Sequence, residues 1–394
     1  MEATTGRRDY ELLRLLVRRL VQLVIVLLIV SFFTFLLIRL LPGDPVQTII
    51  PFGQGPAFAH ERALLRADLG LNKGFFAQYW DYVTGLLQGH LGHQYSSGTP
   101  VSTLVKNSLP VSLELMIYSI VLALVIAIPL GVFGAYRAGT RTDSAVNTTA
   151  FGLLALPNFV LALVLSFFIG AKLKWLPTGG YQPGWLDRVF VGDWGVFLTM
   201  LAFIAVFAAL GAILGRSRGL PGAFGALGGL IGLAVFMALG IVLFHGYYDL
   251  WPHMQTMLLP SITLAAGEIA VFQRLLRSDM IQTLQENFIT LAKAKGISNS
   301  RILWRHALRP SSLTLLTVAG LTAGTLIGGA VVIEVIFSVP GMGQQIFEAI
   351  NAREYVALQS YIVIIAAGFV ILNFAVDFLY AVLDPRIRRA RVAA

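Results

Sequence analysis

The chain contains no cysteine. Disulfides, thiolate metal sites and thiol nucleophiles are thereby excluded, and the compartment has to be read from other residues. Charge is almost as scarce. Only 12% of the 394 residues are Asp, Glu, Lys or Arg, about half the share of a soluble domain. No Gly-Lys-Ser/Thr phosphate loop occurs, so the chain does not bind ATP in that manner. No tract interleaves basic and aromatic residues as a nucleic-acid stacking platform does, so the net charge of +9 does not point to nucleic acid. There is also no repeat or low-complexity tract.

What the chain does have is long apolar runs, with 57% hydrophobic residues and a mean hydropathy of +0.77. The runs fall at 17–38, 111–135, 145–171, 194–214, 222–244, 257–276, 312–336 and 358–383. Each is long enough to cross about 30 Å of hydrocarbon. They are continuous rather than alternating, and lipid satisfies no free backbone group, so they read as helices and not as barrel strands. The expectation is an all-α polytopic membrane protein with eight spans. Arg14, Arg18 and Arg19 precede the first run, which continues into Arg39 and LPGDP instead of a small-residue cleavage site. That run therefore reads as a first span rather than a signal peptide.

Lys and Arg set the orientation. With the N-terminus inside, one side collects Arg7, Arg8, Arg14, Arg18, Arg19, Arg137, Arg141, Arg216, Arg218, the stretch from Arg274 to Arg309, and Arg386 to Arg391. The other side keeps a thin scatter such as Arg62, Lys73, Lys106, Lys172 and Arg353. Both termini are expected in the cytoplasm. Removing the 194–214 and 222–244 runs changes no other orientation, so that pair reads as an insertion into a six-span core. The units are then 1–41 (tail and first span), 42–110 (outer loop region), 111–171 (second and third spans), 172–256 (inserted pair with flanking loops) and 257–394 (last three core spans, with a cytoplasmic loop at 277–310).

That cytoplasmic loop is the informative passage. NFITLAKAKGISNSRILWRHALRP, residues 287–310, is basic yet lies between two spans. Ile281, Leu284, Phe288, Leu291 and Ala292 recur at three and four, which predicts one apolar helical face. Gly296 suits a left-handed helix terminus. Ser298, Asn299 or Ser300 is placed to cap a second helix carrying Ile302, Leu303 and Ala307, and Pro310 falls where the next span begins. Binding of anionic lipid by the basic residues accounts for the charge. It does not account for the glycine elbow beside the small Ala292 and Ala294, which suits close approach by another protein.

TLAKAKGISNSRILWRHALRP resembles the coupling loop, or EAA loop, of ABC importer permeases, in particular the dipeptide/oligopeptide/nickel family. The RRL-span-LPGDP opening, LGLNKGFFAQYWDYVTGLLQGHLG, IGGAVVIEVIFSVPGMGQQIFEAI and VDFLYAVLDPRIR are similar to further segments of that family, in order. Thr290 departs from the Glu that the wider superfamily often carries in the loop, and His90 and His93 stand where the family usually has Asp and Ser. The resemblance implies a transport subunit in a bacterial inner membrane and no catalytic residue. It also implies a homologous second permease, two ABC ATPases holding ATP and magnesium, and an extracytoplasmic binding protein. The residues it implies for ATPase coupling are Phe288, Leu291, Ala292, Lys293, Ala294, Lys295, Gly296 and Arg301.

Several polar residues stand apart from the loop. Glu268 lies in mid-span, where an acidic side chain is costly and marks a candidate pathway residue. Glu114 and Glu334 lie nearer span ends, where solvation is expected to be cheap and a structural role is favoured. His90 and His93 have a spacing that suits a metal, but no third ligand is evident, and no metal site is expected. Gly225, Gly228, Gly229 and Gly232 make small-xxx-small pairs for close helix packing. A proton-coupled secondary transporter using Glu268 is the alternative reading. An intramembrane hydrolase is a weaker one, because no buried Ser–His pair is evident.

Overall fold

The structure is a computed structural model that describes residues 21–36, 72–183 and 246–383, with 39, 46, 60, 62–64 and 66 besides. The inserted runs at 194–214 and 222–244, the glycine pairs within them and both basic tails lie outside the described residues. Among the described residues every regular element is a helix, and the one bridge, His93 with Pro100, is isolated.

In chain order the helices are α1 Val21–Leu36, α2 Phe75–Leu87, α3 Val101–Tyr136, α4 Arg141–Ala155 and α5 Asn158–Leu165, which continues as a π-helix over Ser166–Lys172. They are followed by α6 Gly246–Thr283, α7 Asn287–Ala294, the short α8 Asn299–Arg301 with a π-helix over Ile302–Ala307, and α9 Leu308–Gly329. The chain ends with α10 Val331–Phe337, α11 Met342–Asn351 and α12 Tyr355–Leu383. Each of the six core runs is represented. At 36 and 38 residues, α3 and α6 are about 54 and 57 Å long, so they reach well past the hydrocarbon at their ends.

Two expected spans are divided. The run at 145–171 breaks at Leu156 between α4 and α5, because Pro157 disfavours a helical residue before it and lacks the N–H that a continuous helix needs. The run at 312–336 passes from α9 to α10 at Ala330.

Three apolar clusters run along the bundle. One joins Phe272, Leu276 and Met280 of α6 to Ile289 and Ala292 of α7 and to Ile302. A second joins Leu115 of α3, Met257 and Leu264 of α6, and Ile333 and Phe337 of α10. The third packs Val101 and Val105 of α3 against Met342 and Ala349 of α11 and Tyr361 of α12. At the far end of the bundle from α7, α2 is held to α1 through edge contacts of Phe75 and Tyr79 with Phe32 and Phe35.

The outer ends are tied by carboxylates, and cheap solvation is not what they find. Glu334 is fully buried. Its Oε1 accepts the Ser112 hydroxyl at 2.7 Å, and its Oε2 accepts the N–H groups of Gly343 at 2.7 Å and Gln344 at 3.2 Å. The Ser112 oxygen in turn accepts the Met342 N–H at 2.8 Å. A carboxylate thus caps the first turn of α11, where free N–H groups and the helix dipole favour negative charge. Because α10 lies across that turn, no side chain fits there. A Cβ on Gly343 would come within 2.5 Å of the Val331 Cα and 2.8 Å of Glu334 Oε2. Glu354 repeats the device, its two oxygens accepting the Tyr95 and Ser96 N–H groups, each at 2.7 Å. Gly343→Ala is therefore expected to destabilise the detergent-solubilised protein by about 1–3 kcal/mol through overpacking. An unshifted thermal unfolding midpoint would show that the cap is not built this way.

Candidate coupling surface and pathway residues

The loop is built from the end of α6 outward. Residues 277–283, expected in the loop, are the last two turns of α6. A tight turn follows, in which the N–H groups of Leu284, Gln285 and Glu286 bond back to the carbonyls of Met280, Gln282 and Thr283. α7 then starts at Asn287. It ends in a Schellman motif, with the Gly296 N–H on Lys293 O at 3.0 Å, the Ile297 N–H on Ala292 O at 3.2 Å, and Gly296 at φ +72°. Ile297 folds back onto the apolar cluster, as the residue after such a glycine does. Ser298 takes the cap position of α8, but only its carbonyl serves the helix and its hydroxyl makes no capping bond. Pro310 is the third residue of α9, in the first turn, where a missing N–H is tolerated. The wide π turn over Ile302–Ala307 precedes it.

The expected apolar face is not continuous. Phe288 and Leu291 are 46% and 57% exposed, whereas Ile289 and Ala292 are 0% and 6% exposed. The turn at 284–286 resets the helical phase, so the register of Ile281 and Leu284, which do pack on the core, does not carry into α7. Ala292, expected on the contact surface, is instead a packing residue, and Ile289 takes the inward position that Phe288 had been given. Lys293, Ala294, Lys295, Gly296 and Arg301 are exposed. None of the cations at 293, 295, 301, 305 and 309 pairs with a carboxylate among the described residues. Trp304, 49% exposed on the following turn, escaped the sequence reading because it breaks the apolar periodicity there. The loop therefore presents an apolar, basic surface on a rigid, core-packed support.

Glu268 is half-buried on α6, and its carboxylate meets no hydrogen-bonding partner among the described residues. The buried acidic groups Glu114, Asp143, Glu334 and Glu354 are all engaged. Glu114, 5% exposed, accepts the Tyr118 hydroxyl at 2.6 Å and lies 2.9 Å from Nε2 of His253, whose Nδ1 is 2.7 Å from the Gln182 carbonyl. His253 lies fully buried in α6. The i, i+4 pair Glu114 and Tyr118 on one face was the available signal. Among the described residues no three His, Asp or Glu side chains are grouped to hold a metal, His90 and His93 included.

Long apolar helices packed on one another, with a basic loop seated on their core and Glu268 unpaired within α6 among the described residues, are the frame of a polytopic membrane protein. The chain belongs to the family of binding-protein-dependent transport system inner membrane components. The family model matches residues 218–389, and the model for its N-terminal part matches residues 12–116. Relatives span nearly the whole chain. The dipeptide transport system permease protein of Alkalihalophilus pseudofirmus is 31% identical over 94% of this chain and 98% of its own length. The di/tripeptide transport system permease protein of Pseudomonas aeruginosa is 32% identical over 96% and 100%. The oligopeptide transport system permease protein of Bacillus subtilis is 29% identical over 94% and 98%. The protein is thus a multi-pass inner-membrane permease, and the alternative of a proton-coupled secondary transporter falls away.

The split between the two faces of α7 is testable. Ile289→Ala should cost about 2–5 kcal/mol of stability, as for buried aliphatics. Phe288→Ser and Leu291→Ser should stay within about 0.5 kcal/mol of wild type, as exposed positions do. Equal losses of thermal stability in detergent for all three variants would put Phe288 and Leu291 inside the core after all.

Proposed function

We propose that this chain is one of two permease subunits of an ATP-driven, binding-protein-dependent importer of peptides, dipeptides or oligopeptides among them. It works with a homologous second permease, two ABC ATPases that hold the ATP and magnesium, and an extracytoplasmic substrate-binding protein. Both termini and the α7–α8 loop face the cytoplasm, and the remaining apolar surface faces lipid. The observation that carries this reading is the exposed Phe288 and Leu291 set among the unpaired Lys293, Lys295 and Arg301 on a helix whose other face is locked into the core. A lipid-binding loop would need the charge but not that support.

In this mechanism the ATPases grip α7 and α8 through Phe288, Leu291, Lys293, Ala294, Lys295 and Arg301. Gly296 sets the angle at which α7 is presented, and Ala292 keeps it close to the core. ATP binding draws the two ATPases together and carries both α7 helices with them. Because Ile289 and Ala292 share one apolar cluster with Ile302 and with Leu276 and Met280 of α6, displacement of α7 is passed through that cluster to α6, and the spans alternate between inward- and outward-facing arrangements. Glu268 lines the path between the permeases. An unpaired carboxylate there is costly unless it faces water or a cation, and the ammonium terminus of a peptide supplies one.

The test uses the absence of cysteine. Ala294→Cys, in native membranes treated with a short thiol-to-amine cross-linker and read by mass spectrometry, is expected to capture a P-loop ATPase. Adducts to lipid alone, with the protein folded and abundant, would remove the coupling role from the loop. Glu268→Gln should lower peptide uptake about tenfold or more while leaving that adduct intact, since it removes a mid-span charge and not the docking surface. Unchanged uptake would take Glu268 off the path.

A further inference from the structure

Where α3 turns back into α4, one carboxylate is held on every side. Asp143, in the first turn of α4, is 3% exposed. Its Oδ1 accepts Arg277 Nε at 2.7 Å and Asn147 Nδ2 at 3.0 Å. Its Oδ2 accepts an Arg277 terminal nitrogen at 2.6 Å and the Gly139 N–H at 3.0 Å. One turn further along both helices, Gln273 Nε2 of α6 donates to Asn147 Oδ1 at 3.3 Å. The four side chains thus form a two-rung antiparallel ladder between α4 and α6. The Arg277 guanidinium beside Asp143 is the main cause holding that carboxyl below its usual range. A lowered carboxylate pKa stabilises the fold above the ordinary value of 3.8. That stability is lost only as pH falls through the lowered value, so the ladder stays intact across the neutral range.

α3 is shaped to the same ladder. A Cβ on Gly134 would lie 3.2 Å from Arg277 Cδ and 3.5 Å from Asp143 Oδ1, and one on Gly131 would lie 3.1 Å from Leu276 and 3.2 Å from the Gln273 carbonyl. Only small residues on α3 leave room for the three helices to meet here. Arg277 is six residues before the end of α6 at Thr283, about 9 Å along its axis, and α7 begins four residues beyond that end. The ladder therefore stands directly behind the coupling loop.

We propose that the Asp143–Arg277 pair, with Asn147 and Gln273, is a positioning clasp that makes the α3–α4 turn move together with the coupling end of α6. The displacement of one loop is thereby delivered to three spans at once. This rests on the ATP-driven reading above. A single contact would fix a distance and leave α4 free to pivot. The two parallel N–H···O bonds of a guanidinium fork, braced by an amide and a backbone N–H, also fix the angle. Stability alone is a poor reason for the pair. Buried ion pairs are often matched or bettered by apolar residues of the same volume, and apolar residues supply no directional lock.

The experiment measures maleimide labelling rates at Ser144→Cys on α4 and, separately, Gln282→Cys at the end of α6, in membranes carrying the complete transporter. Rates are taken without nucleotide and after trapping with ATP and vanadate. Trapping should change both rates by about threefold or more. With Asp143→Asn the change at Gln282→Cys persists and that at Ser144→Cys is lost, and the reversed pair Asp143→Arg with Arg277→Asp restores it. Arg277→Lys keeps the charge without the fork. It should uncouple the two sites in the same way, which covers the case of Asp143→Asn failing to fold. A response at Gln282→Cys alone in the wild type, or responses at both sites in a folded Asp143→Asn or Arg277→Lys protein, would overturn the clasp and leave the importer standing. No response at either site in the wild type would overturn the ATP-driven reading and the clasp with it.

Discussion

The packing of α6 on α3 is the constraint on which the rest of the bundle depends. In the apolar window of α6, 61% of residues are buried within this one chain, against 39% for α3 and 28% for α12. Helices in lipid gain little from sequestering apolar surface, so a close pair must be held by dispersion between backbones and by polar contacts. Both are present. Ala123, Ala127 and Gly131 of α3 face a seam that includes Ala265 and Leu276 of α6. Polar links stand at the two ends, His253 with Glu114 of α3 outside and Arg277 with Asp143, in the first turn of α4 just past the end of α3, at the loop side. Small residues between two polar pins fix both the separation and the register of the longest helices, and the other helices are added to that frame.

Acidic side chains recur at three junctions. Asp143 holds the α3–α4 turn, Glu334 the start of α11, and Glu354 the outer loop at Tyr95 and Ser96. All three accept backbone N–H groups that have no partner within a helix. At a helix start such groups are left free by the helix itself, and in a turn they are left free by its irregular backbone, so one carboxylate with two oxygens satisfies them. Charge is scarce in this chain, and among the described acidic residues much of it is spent on helix junctions. Glu268 stands out against that pattern. It lies inside a helix, near no terminus, and serves no backbone group.

The six core runs, the glycine elbow and the polar loop were legible in the sequence because each rests on a local rule. Run length sets the spans, and glycine at positive φ sets the turn at Gly296. The errors came where the rule was not local. The inward face of α7 was misassigned because the tight turn at 284–286 shifts the phase without any Gly or Pro to announce it. Glu334 reads as a solvated end until α11 is seen to place its first turn over the carboxylate, 9 and 10 residues along the chain. His253 and Glu114 are 139 residues apart, and Asp143 and Arg277 are 134 apart. No periodicity links such pairs. Beside Asp143 and Arg277 the trace is the small residues Gly131 and Gly134, a gap on α3 for which the sequence names no occupant.

The corrected face of α7 also bears on the proposed coupling of the loop to the spans. If Phe288 had faced inward, as the periodicity suggested, α7 would have had a polar outer surface and a bulky, adjustable contact with the core. Instead Ile289 and Ala292 face inward, and Ile297 and Ile302 seal the two sides. A β-branched side chain has few rotamers and an alanine has none, so this contact does not absorb displacement by repacking. The large flexible apolar groups, Phe288 and Leu291, are on the outer side, where a partner has to be accommodated. Compliance lies at the outer surface and stiffness lies beneath it. That order is what the proposed coupling requires, since a force applied to α7 would enter the cluster that holds Leu276 and Met280 before it is lost in side-chain motion.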